Sequence, residues 1–524
     1  MIPRRALLPV LALLLAVVAA PAVMAAPAST APANMPAPAV TEPELTTQVT
    51  RSSQATLSFI SIREFAERRA RLAGEVGDGW ILAVGGVTAP QPFIPFHQDP
   101  VFRYLTGFTQ PEAALLMRAQ GGEVLDEVLF VQPRDPAAET WDGYRMGPEA
   151  SAERTGIQGR SVEELGAVLD SLAAAGELTR LHVAASYNPD AGVANDVTQR
   201  IQGLLAQHEG VEVQVVTPAV NQMRQVKSEA EVELIRRSVE ITSEAHREAA
   251  RALRPGMNEF EIQALIEFTF RRYGAERPAF SSIVGSGPNS TILHYETNDD
   301  FMEDGEVLLV DVGAAYGGYA ADITRTYPVN GRFSEAQREI YQLVLDALLA
   351  AEEVAGPGVS MGQLSQVGMV VLAEGLAELG LIEAPDAVYE DEFGRQVPQL
   401  RLFYMHGLGH GIGLHVHDPT PPVLEPGVVF TIEPGIYVRE NLFTEVVPDT
   451  PRNRAMMEAI GPAFERYVNI GVRIEDNYLV TAQGLERLST APREVDEVEE
   501  LMASGEPTPG PRRGEWVDRF REMR

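Results

Sequence analysis

Residues 307–327 read VLLVDVGAAYGGYAADITRTY. Two apolar runs of strand composition flank the Gly-rich connection GAAYGG, which predicts a β-hairpin. Each arm carries one aspartate, Asp311 and Asp322, and the hairpin can bring both carboxylates to one sheet edge. A carboxylate among apolar residues is expensive unless it is paired or holds a cation. Three more segments pose the same problem: MHGLGHGIGLHVHD (405–418), VVFTIEPGIYV (428–438) and GVRIEDNYLV (471–480). They add His410, Glu433 and Glu475. Two aspartates, two glutamates and one histidine form an oxygen-rich set suited to a pair of divalent cations, and a dinuclear hydrolytic centre accounts for all five together.

Working outward, the His/Gly segment holds four of the chain's nine histidines, His406, His410, His415 and His417. A His-x-x-x-His pair on a helix could bind zinc. Gly407, Gly409, Gly411 and Gly413 argue against a helix, at about 1 kcal/mol each, and predict a close-packed loop beside a cleft. Glu433 and Glu475 each follow an isoleucine in a strand-like run, so each should point into the fold or a cleft. A plain salt bridge between Glu475 and Arg473 is the structural alternative. Upstream, Ser228 with Glu231 and Asn258 with Glu261 predict two capped helices, the first running through Leu253 and the second stopping at Gly274. Helices are also expected over 338–354, 361–379 and in the tail segment EVDEVEELMAS.

The first half reads as a βα alternation. A helix from Ser58 (FISIREFAERRARLA) precedes strand WILAVGG, a loop PFHQDPVFRYLTGF, and strands ALLMRA and EVLFVQP. Helix VEELGAVLDSLAAA and strands RLHVAA and EVQVVTP follow, giving an α/β domain. The expected organisation is a signal peptide over 1–25, a Pro/Ala-rich disordered leader over 26–54, an N-terminal domain over 55–222, a catalytic domain over 223–490 and a tail over 491–524. In the signal segment, Arg4 and Arg5 precede an apolar run from Ala6 to Val18, with cleavage expected after Ala25. That predicts a periplasmic or secreted protein with no membrane association after cleavage.

With 74 acidic against 42 basic residues, the net charge of -32 argues against nucleic acid or an anionic membrane surface as partner. The absence of cysteine excludes thiol catalysis, disulfides and thiolate zinc sites.

Five segments, SIVGSGPNSTILHY, VLLVDVGAAYGGYAADITRTYPVNGRFS, MHGLGHGIGLHVHD, LEPGVVFTIEPGIYV and GVRIEDNYLVT, resemble in order those of the pita-bread metallopeptidases, within them the Xaa-Pro aminopeptidase (aminopeptidase P) and prolidase group. The likeness reaches into the first half through DPVFRYLTGFTQPEAALL. It implies an aminopeptidase P-like α/β N-terminal domain followed by an α+β pita-bread catalytic domain. It also implies metal ligands at Asp311, Asp322, His410, Glu433 and Glu475, with manganese the usual metal and cobalt, zinc or iron accepted. Of these, Asp311 would also meet the substrate's amine, Asp322 and Glu475 would bridge the metals, and Glu433 would double as the proton acceptor. Supporting histidines fall on His294, His406 and His417, the last as oxyanion donor, and Arg473 is the expected partner of an aspartate ligand. Tyr437, Tyr295 and Trp141 are candidates for an apolar proline pocket, Trp141 by likeness to a segment that reaches a neighbouring subunit. A homodimer or homotetramer is implied.

Two features depart from the simplest pattern of this group. The stretch between His417 and Glu433, DPTPPVLEPGVVFTI, is short and lacks an arginine that some members carry, while the stretch from Glu433 to Glu475 is long, as in prolidases. Three readings follow: an exported aminopeptidase releasing the first residue from peptides with proline second, a prolidase confined to Xaa-Pro dipeptides, and a non-catalytic pita-bread binding module.

Overall fold

The computed structural model describes residues 60–88, 95–185, 196–206, 208 and 210–505. The expected signal peptide, leader, start of the first helix and residues 506–524 of the tail lie outside the described residues. Among the described residues no helix is long and apolar enough to cross a membrane.

The first half builds a six-stranded mixed sheet. Its strands are β1 (Gly79–Val84), β2 (Ala114–Gln120), β3 (Glu123–Val131), β4 (Gln158–Ser161), β5 (Arg180–Ala184) and β6 (Glu212–Val215), in the order β4-β3-β2-β1-β5-β6. The meander β1-β2-β3 is antiparallel, and β4, β5 and β6 join in parallel. The central strand β1 is buried along nearly its whole length, as its unbroken run WILAV requires. Two departures from expectation share one cause. The segment taken as a loop contains helix Pro100–Thr106, and helix Thr217–Arg224 follows β6 directly. Both place proline in the first turn, where its missing N–H costs nothing, and Asp99 caps the first by accepting from Val101 and Phe102 N–H.

The second half places long helices on short strands. Both capping boxes form: Ser228 and Glu231 open helix Glu229–Ala252, and Asn258 and Glu261 open Glu259–Arg272, after which Gly274 takes a left-handed φ of 96°. Helices Glu335–Val354, Met361–Glu378 and Val495–Ala503 match the remaining expectations, whereas helix Pro451–Tyr467 fills the long stretch between Glu433 and Glu475.

The hairpin is held from behind by helix Glu229–Ala252. Thr242 Oγ1 accepts from Ala314 N–H, and Ser238 Oγ accepts from Tyr316 N–H, so the Gly-rich connection is anchored by hydroxyls on one helix face. His246, fully buried, bonds Tyr327 Oη at 3.0 Å and Ile323 O at 2.9 Å, and burial holds its pKa down to about 3.

Candidate metal centre

Strands Val307–Val312 and Ile323–Pro328 pair antiparallel with Thr324 opposite Asp311. Side chains alternate along a strand, so Asp322, two residues before Thr324, shares the face of Asp311. The predicted hairpin therefore brings both aspartates to one edge. A Cβ at Gly313 would run into Ala321 O, so the crossing beside both aspartates requires glycine.

Glu433 and Glu475 lie in the break between two short ladders rather than within strands. Val429–Ile432 pairs with Asp476–Thr481, and Gly435–Tyr437 pairs with Gly471–Arg473. Pro434, lacking an N–H, interrupts the first strand where Glu433 must turn out. Opposite it, Glu475 N–H donates to Thr324 O at 3.0 Å, which ties this ladder to the hairpin.

Residues 405–418 contain no helix, as the glycines predict. The loop lies along the Val429–Ile432 strand: Thr431 N–H donates to His410 O, and Glu433 N–H to Leu408 O, each at 2.8 Å. A Cβ at Gly409 would meet Thr431 O, so the close approach that delivers His410 depends on that glycine.

These elements converge on one cavity of about 450 Å³, lined by all five candidate ligands and by His294, His406, His417 and Arg473. His410 Nε2 lies 3.4 Å from Glu433 Oε1, 3.5 Å from Asp322 Oδ2 and 3.8 Å from Glu475 Oε1. Asp322, His410 and Glu475 each present a ligand atom within 4.8 Å of the others. Arg473 Nη2 donates to Asp311 Oδ2 at 2.6 Å, so its carboxylate partner is an aspartate and the Arg473–Glu475 salt bridge is not the arrangement found.

Electrostatics test whether cations fit. Burial, then repulsion from Glu475 and Asp311, pushes the Asp322 carboxyl well above its usual range. Burial and neighbouring carboxylates push Glu433 and Glu475 up to about 8. Asp311 Oδ1, Asp322 Oδ1 and Glu475 Oε1 are buried without a hydrogen-bond partner. Buried acceptors lacking donors cost about 1–3 kcal/mol each. Divalent cations relieve both the repulsion and the orphaned oxygens, and hard carboxylates with one imidazole are donors they accept. The donor set fits.

Around it, His406 Nε2 bonds Tyr437 Oη at 2.8 Å, and Tyr437 Oη accepts from Arg473 Nη1 at 2.8 Å. Burial and Arg473 hold His406 down to about 4. The His417 ring stands edge-on to His410 at 4.3 Å between centroids, and burial and His410 lower its pKa. Both shifts favour the neutral imidazole.

The three aromatic candidates for a proline pocket do not line the cavity. Tyr437 is fully buried behind it, Tyr295 packs with Ile283 and Leu309, and Trp141 is 87% exposed on helix Pro136–Asp142. The apolar wall is Phe280, Ile283, Leu293 and Val416. Sequence reading also missed Thr324, whose Oγ1 donates to Glu475 Oε2 at 2.7 Å and accepts from Arg473 Nε at 3.2 Å. Its position two residues after Asp322 was the available signal.

Residues 233–482 match the model of metallopeptidase family M24, and residues 65–181 match the aminopeptidase P N-terminal domain. A Xaa-Pro aminopeptidase of Haemophilus influenzae is 36% identical over 455 residues, covering 84% of this chain and 97% of the relative. A human Xaa-Pro dipeptidase is 32% identical over 436 residues, covering 78% and 84%. Solved structures of Escherichia coli aminopeptidase P, one with the inhibitor Pro-Leu and one zinc-substituted with product, superpose at TM-scores of 0.70 and 0.71. Each is 32% identical and covers 85% of this chain and 99% of the other. The fold is thus the aminopeptidase P α/β N-terminal domain joined to the pita-bread catalytic domain, and the chain belongs to the aminopeptidase P group of metallopeptidase family M24.

Proposed function

We propose that this protein is a metal-dependent aminopeptidase that hydrolyses the Xaa-Pro bond at the N-terminus of peptides and releases the first residue. The observation that carries the reading is the convergence of four carboxylates and one imidazole on a single cavity with three buried carboxylate oxygens unsatisfied. Asp311, Asp322, His410, Glu433 and Glu475 would hold two divalent ions, with Mn²⁺ the proposed metal. When bound, such ions supply an activated water at neutral pH and a Lewis acid for the scissile carbonyl.

The chain's own groups divide the remaining work. Glu433 accepts a proton from the attacking water and passes it to the prolyl nitrogen. That delivery is needed because the amide nitrogen leaves as a neutral amine only once it gains a proton. His417, neutral, donates its N–H to the developing oxyanion. His294 and His406 orient the substrate carbonyl and the residue after the cut, and the His406 ring is fixed by Tyr437 Oη at Nε2 and Gly407 O at Nδ1. Arg473 holds Asp311 in place.

One observation favours the aminopeptidase over the prolidase reading. A dipeptide's free carboxylate calls for a nearby cation. Among the described residues Arg473 is the single arginine or lysine lining the cavity, and it is committed to Asp311, while Glu296 adds a negative charge. Ala-Pro, Ala-Pro-amide and Ala-Pro-Ala, compared at equal Mn²⁺, test this. The amide and tripeptide should be cleaved at least tenfold faster (kcat/KM) than Ala-Pro. Cleavage confined to Ala-Pro would select the prolidase, and cleavage of none would remove the peptidase reading.

Export to the periplasm or medium is part of the proposal, supported by Arg4, Arg5 and the apolar run ahead of Ala25. A homodimer or homotetramer is proposed as well, and the exposed Trp141 ring offers apolar surface for such a contact.

A further inference from the structure

Behind the histidine loop lies an ion cluster that the chemistry above does not use. Asp418 follows His417 directly, and its side chain is only 2% exposed. It pairs through Oδ1 with Arg224 Nη2 and through Oδ2 with Lys227 Nζ at 2.8 Å. Those cations are 6% and 1% exposed and belong to the connection between the two domains: Arg224 ends helix Thr217–Arg224, and Lys227 stands just before the Ser228 cap. Lys227 Nζ also donates to Arg224 O at 2.6 Å, where a cation suits the carbonyl end of a helix, and Lys227 N–H donates to Gly427 O.

The cluster reaches the site through a short path. Asp418 Oδ1 accepts the His415 backbone N–H at 3.2 Å, and Asp418 N–H donates to Gly411 O at 2.9 Å, which closes the 411–418 loop on itself. His415 Nδ1 in turn accepts the His417 N–H at 3.0 Å. A Cβ at Gly413 would strike the Asp418 carboxylate, so the loop is wrapped tightly around that one side chain. Backbone bonds from Ile412 N–H to Val429 O, Gly413 N–H to His415 O and Ala320 N–H to Gly413 O also hold this turn, and Asp418 adds the buried side-chain anchor to it.

We propose that Asp418 is a positioning residue for the hydrolysis: clamped from the interdomain connection by Arg224 and Lys227, it sets the direction of His417 toward the reacting carbonyl. The connection between the two domains thereby contributes to catalysis without entering the cavity. The inference rests on the reading of His417 as oxyanion donor. A buried carboxylate held by two cations can be replaced neither by a carboxamide, which offers one acceptor oxygen where Asp418 uses two, nor by an apolar residue, which strands both cations.

A double-mutant cycle tests it, using Asp418→Asn, His417→Ala and the pair, with kcat and KM for Ala-Pro-Ala, bound Mn²⁺ per chain and melting temperature. Asp418→Asn alone should lower kcat about 10- to 100-fold, the scale of a misplaced catalytic group, with KM and Mn²⁺ content within about twofold. In the His417→Ala background the same change should cost less than about threefold in kcat, because the group it positions is gone. Lys227→Met, which keeps the Arg224 contact, should show a smaller loss with the same non-additivity and serves if Asp418→Asn does not fold. Equal losses with and without His417 would overturn the proposal, as would unchanged kcat in Asp418→Asn. Full activity of His417→Ala itself would instead remove the oxyanion reading on which it rests.

Discussion

Replacing Arg473 by methionine separates the charge balance of the site from its chemistry. The guanidinium is 3% exposed and donates to Asp311 Oδ2 at 2.6 Å, Tyr437 Oη at 2.8 Å, Thr324 Oγ1 at 3.2 Å and Leu293 O at 3.3 Å. Removing one partner of such a pair leaves a buried charge uncompensated and costs about 3–5 kcal/mol. In metal-free protein Asp311 would then face Asp322, Glu433 and Glu475 with no cation nearby. At about 2–4 °C per kcal/mol, the loss corresponds to a fall in Tm of roughly 6–20 °C at pH 7.5. Bound Mn²⁺ neutralises the same carboxylates, so the fall in its presence should be less than half as large. The stabilisation conferred by Mn²⁺ therefore widens in the variant. Turnover should still drop about 10- to 100-fold, since Asp311 and the Tyr437–His406 contact lose their anchor. Arg473→Lys keeps a charge near Asp311 but cannot reproduce the fork, and should lose about half as much stability. Thermal melts with chelator and with Mn²⁺ read this directly. Equal falls in both, or a chelated variant melting within 1–2 °C of wild type, would refute the assignment of Arg473 as counter-ion to a metal-binding carboxylate.

Glu433→Ala should abolish turnover of Ala-Pro-Ala, and His417→Ala should lower kcat by about 10²–10³, the cost of one oxyanion donor, with Mn²⁺ still bound; wild-type kcat in the latter would exclude that role. Chelated protein should lose stability as pH rises. Glu433 and Glu475 titrate near 8 when folded against 4.5 when free, so the folded state binds more protons between those values, and stability declines from about pH 4.5 through about 8. Denaturant melts across that range should show the slope in chelator and its disappearance in Mn²⁺. Gly313→Ala places a Cβ against Ala321 O beside both aspartates, and should lower Tm and Mn²⁺ affinity together; a variant with unchanged affinity would show that the crossing tolerates displacement.

Much of the site was legible because its parts are local signals: an aspartate on each arm of one hairpin, glycines that forbid a helix around His410, and carboxylates that apolar runs do not tolerate. Their convergence is a long-range fact that periodicity cannot supply; the cost of buried carboxylates pointed to a shared cation site, and the resemblance implied the same ligand set. The break at Pro434 escaped notice because the flanking residues have strand composition on both sides of Glu433. Helices Pro100–Thr106 and Pro451–Tyr467 were missed although Asp99-Pro100 and Thr450-Pro451 are cap-plus-proline starts. Thr324 and Asp418 carry no motif of their own. Their roles depend on strand register and on a contact 194 residues away in sequence from Arg224, neither of which composition records. Tyr295 and Tyr437 were chosen for ring chemistry, and packing, which decides whether a ring faces a cavity or a core, placed neither against it; Trp141, named by likeness to a segment that reaches a neighbouring subunit, stands exposed.

Stepwise addition of Mn²⁺ to chelated protein, with bound ions counted per chain and hydrolysis of Ala-Pro-Ala followed at each step, addresses the two-cation site most directly. Turnover is predicted to start near zero and to reach its plateau at two ions per chain, with Asp322→Ala and Glu475→Ala failing to reach it. Full hydrolysis by protein carrying less than about a tenth of an ion per chain would contradict the account.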